Sequence, residues 1–296
     1  MYRATTPNEK AHSDGIWTVT WTSKNQILSG SVDEHAKSWD KELQCLHDFG
    51  GHRLGVISVK ANSTGSGAVT SSIDSVLRFW DLDNGQESGQ IDCGPVEAWS
   101  IDLSPNDQLV AAGSQRGAVN LWNMESREKA GSLHTRDKFI MSVAFSPDGS
   151  MIAAGNLDGI INIFDLETQK LMHKLEGHSL PIRSLCFSPD GLTLMTASDD
   201  MRVNVYDVQQ TQLVNSFTGH TSWVLCVDCS PDRRHFATSG SDRTVKIWDL
   251  RVNQECIHSF DSCHTDQVWS VAYNLDGTQL VSGGDDGVLQ MYEKSS

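Results

Sequence analysis

The chain has 296 residues, 38% hydrophobic and 21% charged, which is typical of a folded chain that buries a sizeable core. Its 38 aspartates and glutamates outnumber its 23 lysines and arginines, so the formal net charge is −15. Such a balance repels phosphate backbones, and no apolar run approaches the roughly 18 residues that a membrane-spanning helix needs. Composition therefore argues against a membrane protein and a general nucleic-acid-binding protein.

The seven cysteines predict a reducing environment. They are Cys45, Cys93, Cys186, Cys226, Cys229, Cys256 and Cys263, an odd number that lies mostly in apolar segments. The first residues, MYRATTPNEKAH, lack the apolar core of a signal peptide, so we expect free thiols in a cytosolic or nuclear protein. Cys226 and Cys229 have C-x-x-C spacing, but residues three apart in a strand point to opposite faces. No metal site and no cofactor are predicted.

A repeat of 42 residues runs along the chain. The turn sequences SPND, SPDG, SPDG and SPDR place prolines at positions 105, 147, 189 and 231. An aromatic residue closes each repeat, at Trp39, Trp80, Trp122, Phe164, Tyr206, Trp248 and Tyr292. Seven such repeats account for the whole chain, so we expect one domain over residues 1–296.

Each repeat predicts four short strands. In the fifth repeat, PIRSLCF is an apolar strand, SPDG is a turn, and LTLMTAS is a second strand. A tight turn at Asp199 and Asp200 follows, and VNVYDV and QLVNSFT are the third and fourth strands. Short strands at a spacing of about 8–12 residues are typical of an all-β fold.

The period, the leading Gly-His and the terminal Trp-Asp together resemble the WD-repeat family along the full chain. The resemblance implies a seven-bladed β-propeller, with one four-stranded sheet per blade around a central channel. Little sequence follows Tyr292, so the last blade needs an outer strand from elsewhere. We predict that part of residues 2–8 supplies it and closes the ring. Pro7 is tolerable there because an outer edge does not require its missing hydrogen bond.

Histidine, hydroxyl, aspartate and aromatic residues recur as a set. The histidine position holds His12, His52, Gly94, Arg136, His178, His220 and His264. The hydroxyl position holds Ser29, Thr70, Ala112, Ala154, Thr196, Thr238 and Ser282. The aspartate position holds Asp33, Asp74, Arg116, Asp158, Asp200, Asp242 and Asp286. The two repeats without histidine are the two with alanine, which predicts one buried hydrogen-bonded unit in five repeats; the resemblance identifies it as the WD-repeat tetrad.

The same residue types also occur in Ser-His-Asp catalytic triads. An enzyme generally needs one such constellation beside one pocket, and five equivalent copies around a ring favour a structural role. The sequence also lacks G-x-S-x-G, H-E-x-x-H and the Gly-Lys dipeptide of a phosphate-binding loop. No catalytic residues are predicted.

Candidate binding residues come from the start of each innermost strand, near the narrower face that WD-repeat families commonly use. The position five beyond the histidine holds Trp17, Ile57, Trp99, Met141, Arg183, Leu225 and Trp269. Neighbouring positions add Phe139, Pro181, Trp223, Ile73 and Leu157. Exposed apolar patches usually mark interfaces, and tryptophan is enriched at hot spots. These residues are predicted to bind a protein partner, although packing between blades would explain some of them.

Charged residues are expected around this apolar centre. The acidic ones are Asp14, Glu97, Asp199, Asp266 and Asp285, and the basic ones are Arg116, Arg136 and Arg183. The three arginines could form a small basic corner. Only Arg183 is placed to meet a ligand over the channel, which disfavours recognition of a phosphorylated peptide.

Some stretches resemble a narrower group, the small WD-repeat subunits of the superkiller (Ski) complex, which animals also place in the Paf transcription-elongation complex. Among them are GHRLGVISV, IDCGPVEAWSIDLSP and LEGHSLPIRSLCFSPDG. The resemblance implies a non-enzymatic scaffold in nucleus and cytoplasm. Its partners would be the helicase and tetratricopeptide subunits that serve exosome-linked 3′-to-5′ mRNA decay, and Paf subunits.

Because composition argues against nucleic acid and membrane, we predict no direct nucleic-acid partner and no membrane association, and we expect no obligate homo-oligomer. Two alternatives stay open. A ubiquitin-ligase receptor or a histone-tail reader would share every propeller feature, and an enzyme would show a turnover activity.

Overall fold

The computed structural model describes residues 2–135, 138–252 and 256–294, and these form seven four-stranded antiparallel sheets. Blade one contains β2 (Ile16–Trp21), β3 (Ile27–Ser31), β4 (Ala36–Trp39) and β5 (Cys45–Phe49). Blade two contains β6 (Val56–Ala61), β7 (Gly67–Ser72), β8 (Val76–Asp81) and β9 (Gln86–Asp92). Blade three contains β10 (Ile101–Leu103), β11 (Leu109–Gly113), β12 (Ala118–Asn123) and β13 (Lys129–His134).

The remaining blades repeat this order along the chain. Blade four contains β14 (Ile140–Phe145), β15 (Met151–Asn156), β16 (Ile160–Asp165) and β17 (Lys170–Glu176). Blade five contains β18 (Ile182–Phe187), β19 (Thr193–Ser198), β20 (Arg202–Asp207) and β21 (Gln212–Thr218). Blade six contains β22 (Val224–Cys229), β23 (His235–Gly240), β24 (Val245–Asp249) and β25 (Cys256–Phe260). Blade seven contains β26 (Val268–Tyr273), β27 (Gln279–Gly284), β28 (Leu289–Lys294) and β1 (Tyr2–Ala4).

The predicted all-β, seven-bladed fold is confirmed, and so is its closure by the N-terminal strand. Strand β1 pairs antiparallel with β28, with Tyr2 opposite Lys294 and Ala4 opposite Tyr292. The amide of Asn8 continues the contact by donating to the carbonyl of Leu289 at 2.9 Å. In the described residues, no helix is long and apolar enough to cross a membrane.

The hydrophobic core lies between neighbouring blades. One cluster joins Ile16, Val19 and Trp21 of blade one to Val281 and Met291 of blade seven. Successive side chains of a strand point to opposite faces of the sheet, so each blade can bury both of its faces against the neighbouring blades. The first and last blades therefore pack on each other as any other adjacent pair does.

The innermost strands of adjacent blades belong to different sheets, but side-chain hydroxyls connect them. The amide of Val19 donates to Ser270 Oγ at 3.0 Å, across the junction between blades one and seven. The amide of Val227 donates to Ser184 Oγ at 3.3 Å, and equivalent bonds end on Thr18 and Ser58. Because buried amides need partners, these bonds help to fix the strands that line the channel.

Candidate functional site

The histidine, hydroxyl and aspartate of all five predicted tetrads are hydrogen-bonded, and in four of them the aromatic residue also bonds to the hydroxyl. In blade six, His220 Nδ1 lies 2.9 Å from Asp242 Oδ2, and His220 Nε2 lies 2.7 Å from Thr238 Oγ1. Trp248 Nε1 donates to the same Thr238 oxygen at 2.8 Å. Because a carboxylate only accepts, the imidazole Nδ1–H donates to Asp242 and Nε2 accepts the threonine hydroxyl proton. Every polar group of the unit therefore has a partner.

The other tetrads share this geometry, with one variation. Their histidines are His12, His52, His178 and His264, with Nδ1 to carboxylate distances between 2.8 and 3.1 Å. In blade five, the hydroxyl of Tyr206 accepts a hydrogen bond from the Asn204 amide at 3.2 Å. The repeated, closed bonding supports the structural interpretation over the catalytic one.

Alanine in place of Thr196 or His220 is expected to lower the free energy of unfolding by about 1–3 kcal/mol, because each leaves buried polar groups unpaired. Denaturant unfolding of the purified variants measures this loss. Thr221→Ala is the matched control, since the Thr221 side chain is exposed and only its backbone amide contacts Asp242. Wild-type stability combined with a lost partner would contradict the structural role.

The tetrad carboxylates also predict an acid-sensitive fold. Burial alone would raise the pKa of Asp242, but hydrogen bonds from His220 and the Thr221 amide outweigh it and hold that pKa below its usual value. The pKa of Asp33 is lowered in the same way by His12. A pKa lowered by folding stabilises the protein above the unfolded value and loses that contribution as pH falls through the folded one. We expect the denaturant concentration at the unfolding midpoint to fall as the pH is lowered below about 4. The fall with pH should be less steep in Asp242→Asn, which lacks this carboxylate.

Blades three and four lack the complete tetrad. Ala112 and Ala154 stand at the hydroxyl position, and Arg136 lies outside the described residues. In blade three the indole N–H of Trp122 is buried, and it has no hydrogen-bond partner in the described part of the chain. A tetrad hydroxyl would accept a hydrogen bond from this N–H, and alanine at the hydroxyl position supplies no such acceptor.

The seven equivalent residues, which lie at the start of an innermost strand or, for Trp99, just before it, surround one cavity of about 300 Å³. We call the surface that they form the channel mouth: Trp17, Ile57, Trp99, Met141, Arg183, Leu225 and Trp269. The cavity adjoins a second one of about 310 Å³ that follows the channel to Trp21 and Tyr273. The strand order places the tetrad histidines and the turn aspartates at this same end of the blades.

Members of the channel mouth differ in exposure. Met141 is 6% exposed and Leu225 is 4% exposed, so both offer a partner little area. Trp17, Trp99 and Trp269 are only partly buried, and Trp17 packs edge-on against Trp269 with ring centres 6.2 Å apart. These tryptophans therefore keep apolar area that a partner could cover.

Phe139 and Trp223 extend the channel mouth outward. The Phe139 ring packs edge-on against Trp99 at 5.2 Å. Trp223 is 46% exposed, and the Arg183 guanidinium lies 5.6 Å from its ring centre. Asp199 binds the same guanidinium through two hydrogen bonds, of 2.8 and 2.7 Å. Arg183 thus has its charge paired while it supports an exposed tryptophan.

The predicted basic corner is largely paired in the structure. Arg116 lies 3.4 Å from the Glu97 carboxylate, and Arg183 is held by Asp199. Arg136 falls outside the described residues. A guanidinium that is already paired with a carboxylate binds a phosphate less readily. This agrees with the sequence argument against recognition of a phosphorylated peptide.

The opposite side of the channel mouth is acidic. Burial raises the pKa of Asp285, and the carboxylate of Asp266 acts in the same direction. The indoles of Trp269 and Trp17 face Asp285 and oppose the shift, without reaching hydrogen-bond geometry. The channel mouth therefore combines aromatic area with acidic side chains.

Three exposed apolar residues near the channel mouth were missed in the sequence. Leu54 and Leu180 are 48% and 45% exposed and follow tetrad histidines by two residues. Met201 is 46% exposed and follows Asp200. Their positions in the repeat could have identified them as binding candidates. They lie in loops, however, where no alternation of apolar and polar residues distinguishes an exposed apolar side chain. With the predicted Ile73 and Leu157, at 41% and 43%, they widen the apolar surface.

Cysteine placement matches the expected free thiols. Every cysteine is unpaired, and Cys226 lies partly buried beside the channel. Burial raises the pKa of the Cys229 thiol to about 12, which keeps it protonated. Among the residues that the structure describes, no group of histidine, cysteine or acidic side chains could hold a metal ion.

Two family models match the chain. One, described as the N-terminal β-propeller domain of nucleolar protein 10-like proteins, matches residues 53–224. The other, described as the WD domain, G-beta repeat, matches residues 5–40, 211–249 and 254–293. Together they reach all seven blades.

Similar proteins carry the same repeat. WD repeat-containing protein SL1-17 of Schistosoma mansoni is 41% identical over 128 residues, which are 40% of this chain and 42% of that protein. WD repeat-containing protein VIP3 of Arabidopsis thaliana is 38% identical over 118 residues, 38% of this chain and 37% of that protein. The COMPASS component SWD3 of Saccharomyces cerevisiae is 31% identical over 111 residues, 37% of this chain and 35% of that protein.

The matched segments thus span less than half the length of each relative. The repeat pattern, the tetrads and the seven closed blades agree with both family models. The chain belongs to the WD-repeat β-propeller family, and its central repeats match the nucleolar protein 10-like propeller domain.

Proposed function

We propose that the channel mouth, extended by Phe139 and Trp223, is the site where this scaffold binds a protein partner. The observation that carries the proposal is the single cavity bordered by three partly exposed tryptophans from different blades. Large aromatic side chains that surround a pocket supply most of the binding energy at many interfaces. The proposal needs no substrate chemistry, and the residues that resemble a catalytic triad, such as those of blade six, are bonded to one another within a tetrad.

We further propose that the partners are subunits of the Ski and Paf complexes, in cytoplasm and nucleus respectively. The support is the resemblance of stretches such as IDCGPVEAWSIDLSP, which keep residues that a propeller does not require. One relative is named as a component of an assembly, COMPASS, which fits an adaptor that works as a subunit. The net charge of −15 favours protein partners over nucleic acid.

Affinity purification of the tagged chain from nuclear and cytoplasmic extracts tests this assignment. We expect the helicase and tetratricopeptide subunits from cytoplasm, and Paf subunits from the nucleus. Recovery of a ubiquitin ligase or a histone-modifying complex alone would favour another assembly. A Trp17→Ala, Trp269→Ala double variant that keeps its melting temperature is the control, because it should lose the same partners.

A further inference from the structure

The loop between β9 and β10 brings Trp99 to the channel mouth. This loop lacks the tetrad histidine and the early start of the innermost strand that blades one and two have. Blade three has Gly94 at the histidine position, and its φ of +81° is a left-handed conformation that a histidine would adopt only with strain. The innermost strand also starts late, at Ile101, so Trp99 precedes it. In blades one and two the equivalent residues, Trp17 and Ile57, lie within their strands.

The Glu97 side chain is held by a buried asparagine of blade three. Its carboxylate Oε2 accepts a hydrogen bond from Asn120 Nδ2 at 2.9 Å, and its backbone carbonyl lies 3.3 Å from the same amide. Asn120, which is 2% exposed, also accepts from Ser132 Oγ at 2.8 Å. The Glu97 side chain is only 17% exposed. One loop side chain is thus joined to the two outer strands of the blade.

Other blades use this strand position differently. In blade one Lys37 donates to the carbonyl of Ala11, and in blade five Asn204 donates to that of Gly177. Both carbonyls belong to the residue just before a tetrad histidine. In blade three the contact has moved along the loop to Glu97, two residues before Trp99. The contact between Asn120 and Glu97 therefore holds the loop of blade three, which has no histidine at the tetrad position.

We propose that Glu97 is a positioning residue whose carboxylate, held by Asn120, fixes the loop that presents Trp99 at the channel mouth. Its effect on the loop is independent of any partner, whereas its effect on binding rests on the proposed function. A hydrogen bond to a charged group is among the stronger ones in a protein, so its loss should free the loop locally.

Hydrogen exchange of the full chain tests the anchor. The reporter is the Trp99 amide, which donates to the Gly113 carbonyl at 2.8 Å. Glu97→Ala should accelerate its exchange roughly tenfold or more, with residues 52–58 of blade two unchanged. Glu97→Gln, which keeps an acceptor for Asn120, should stay near wild type. Glu128→Ala, at an exposed carboxylate of the same blade, is the matched control.

Wild-type exchange in Glu97→Ala would overturn the proposal, and so would a Gln variant that behaves like the alanine variant. Asn120→Ala should accelerate exchange less in the Glu97→Ala background than in the wild-type background, since the carboxylate bond is already lost and only the bond to the Glu97 carbonyl remains. Binding of the purified tetratricopeptide subunit then separates the two claims. Faster loop exchange with unchanged affinity keeps Glu97 as the anchor and removes Trp99 from the binding site.

Discussion

Alanine in place of Trp17, Trp99 or Trp269 is expected to weaken partner binding by roughly thirtyfold or more, and to lower the stability of the fold less than it lowers binding. A hot-spot tryptophan contributes at least about 2 kcal/mol on alanine substitution. All three are partly exposed and border the same cavity, so their own blades enclose them incompletely. Trp17 and Trp269 touch, and we therefore expect their double variant to be non-additive.

Trp248→Ala is the contrasting control. Trp248 is 1% exposed, donates to Thr238, and stacks on Phe236 with an interplanar angle of 10°. Its loss leaves a cavity and removes the hydrogen bond that Thr238 Oγ1 accepts, so we expect about 3–5 kcal/mol of destabilisation.

Melting temperature and pull-down of the tetratricopeptide subunit, measured side by side, distinguish the two classes. Normal binding by stably folded variants of Trp17, Trp99 and Trp269 would place the partner on the opposite face or on the blade edges.

Removal of residues 2–8 is expected to lower the free energy of unfolding by about 2–4 kcal/mol. The deletion exposes the area that Tyr2, 7% exposed, buries against Tyr273. It also removes the pairing of β1 with β28 and the hydrogen bonds that the backbone amides of Thr5 and Asn8 donate. Strand β28 would then become an open edge, which promotes association between chains.

Urea unfolding of the full and shortened chains measures the loss, and light scattering detects the association. Arg3→Ala is the control, since that side chain is exposed and its pairing uses only the backbone. A shortened chain with an unchanged midpoint would show that the ring does not depend on this strand.

The repeat itself determined most of the fold. Seven aromatic residues at a nearly constant spacing, with SPDG-type turns between strands, predict seven equivalent sheets because each unit must bury its faces against its neighbours. The linked loss of histidine and hydroxyl, as at Gly94 with Ala112, also predicted the tetrads, since a partial polar network is unstable. Ring closure followed from the missing outer strand of blade seven.

Only the tertiary structure decided how the channel-mouth residues differ from one another. Met141 and Trp17 occupy equivalent repeat positions, yet Met141 is buried and Trp17 is partly exposed. The pairing of Arg183 with Asp199 and of Glu97 with Asn120 joins different strands and loops. Such contacts depend on side-chain conformation and loop path, which a period of 42 residues specifies only on average.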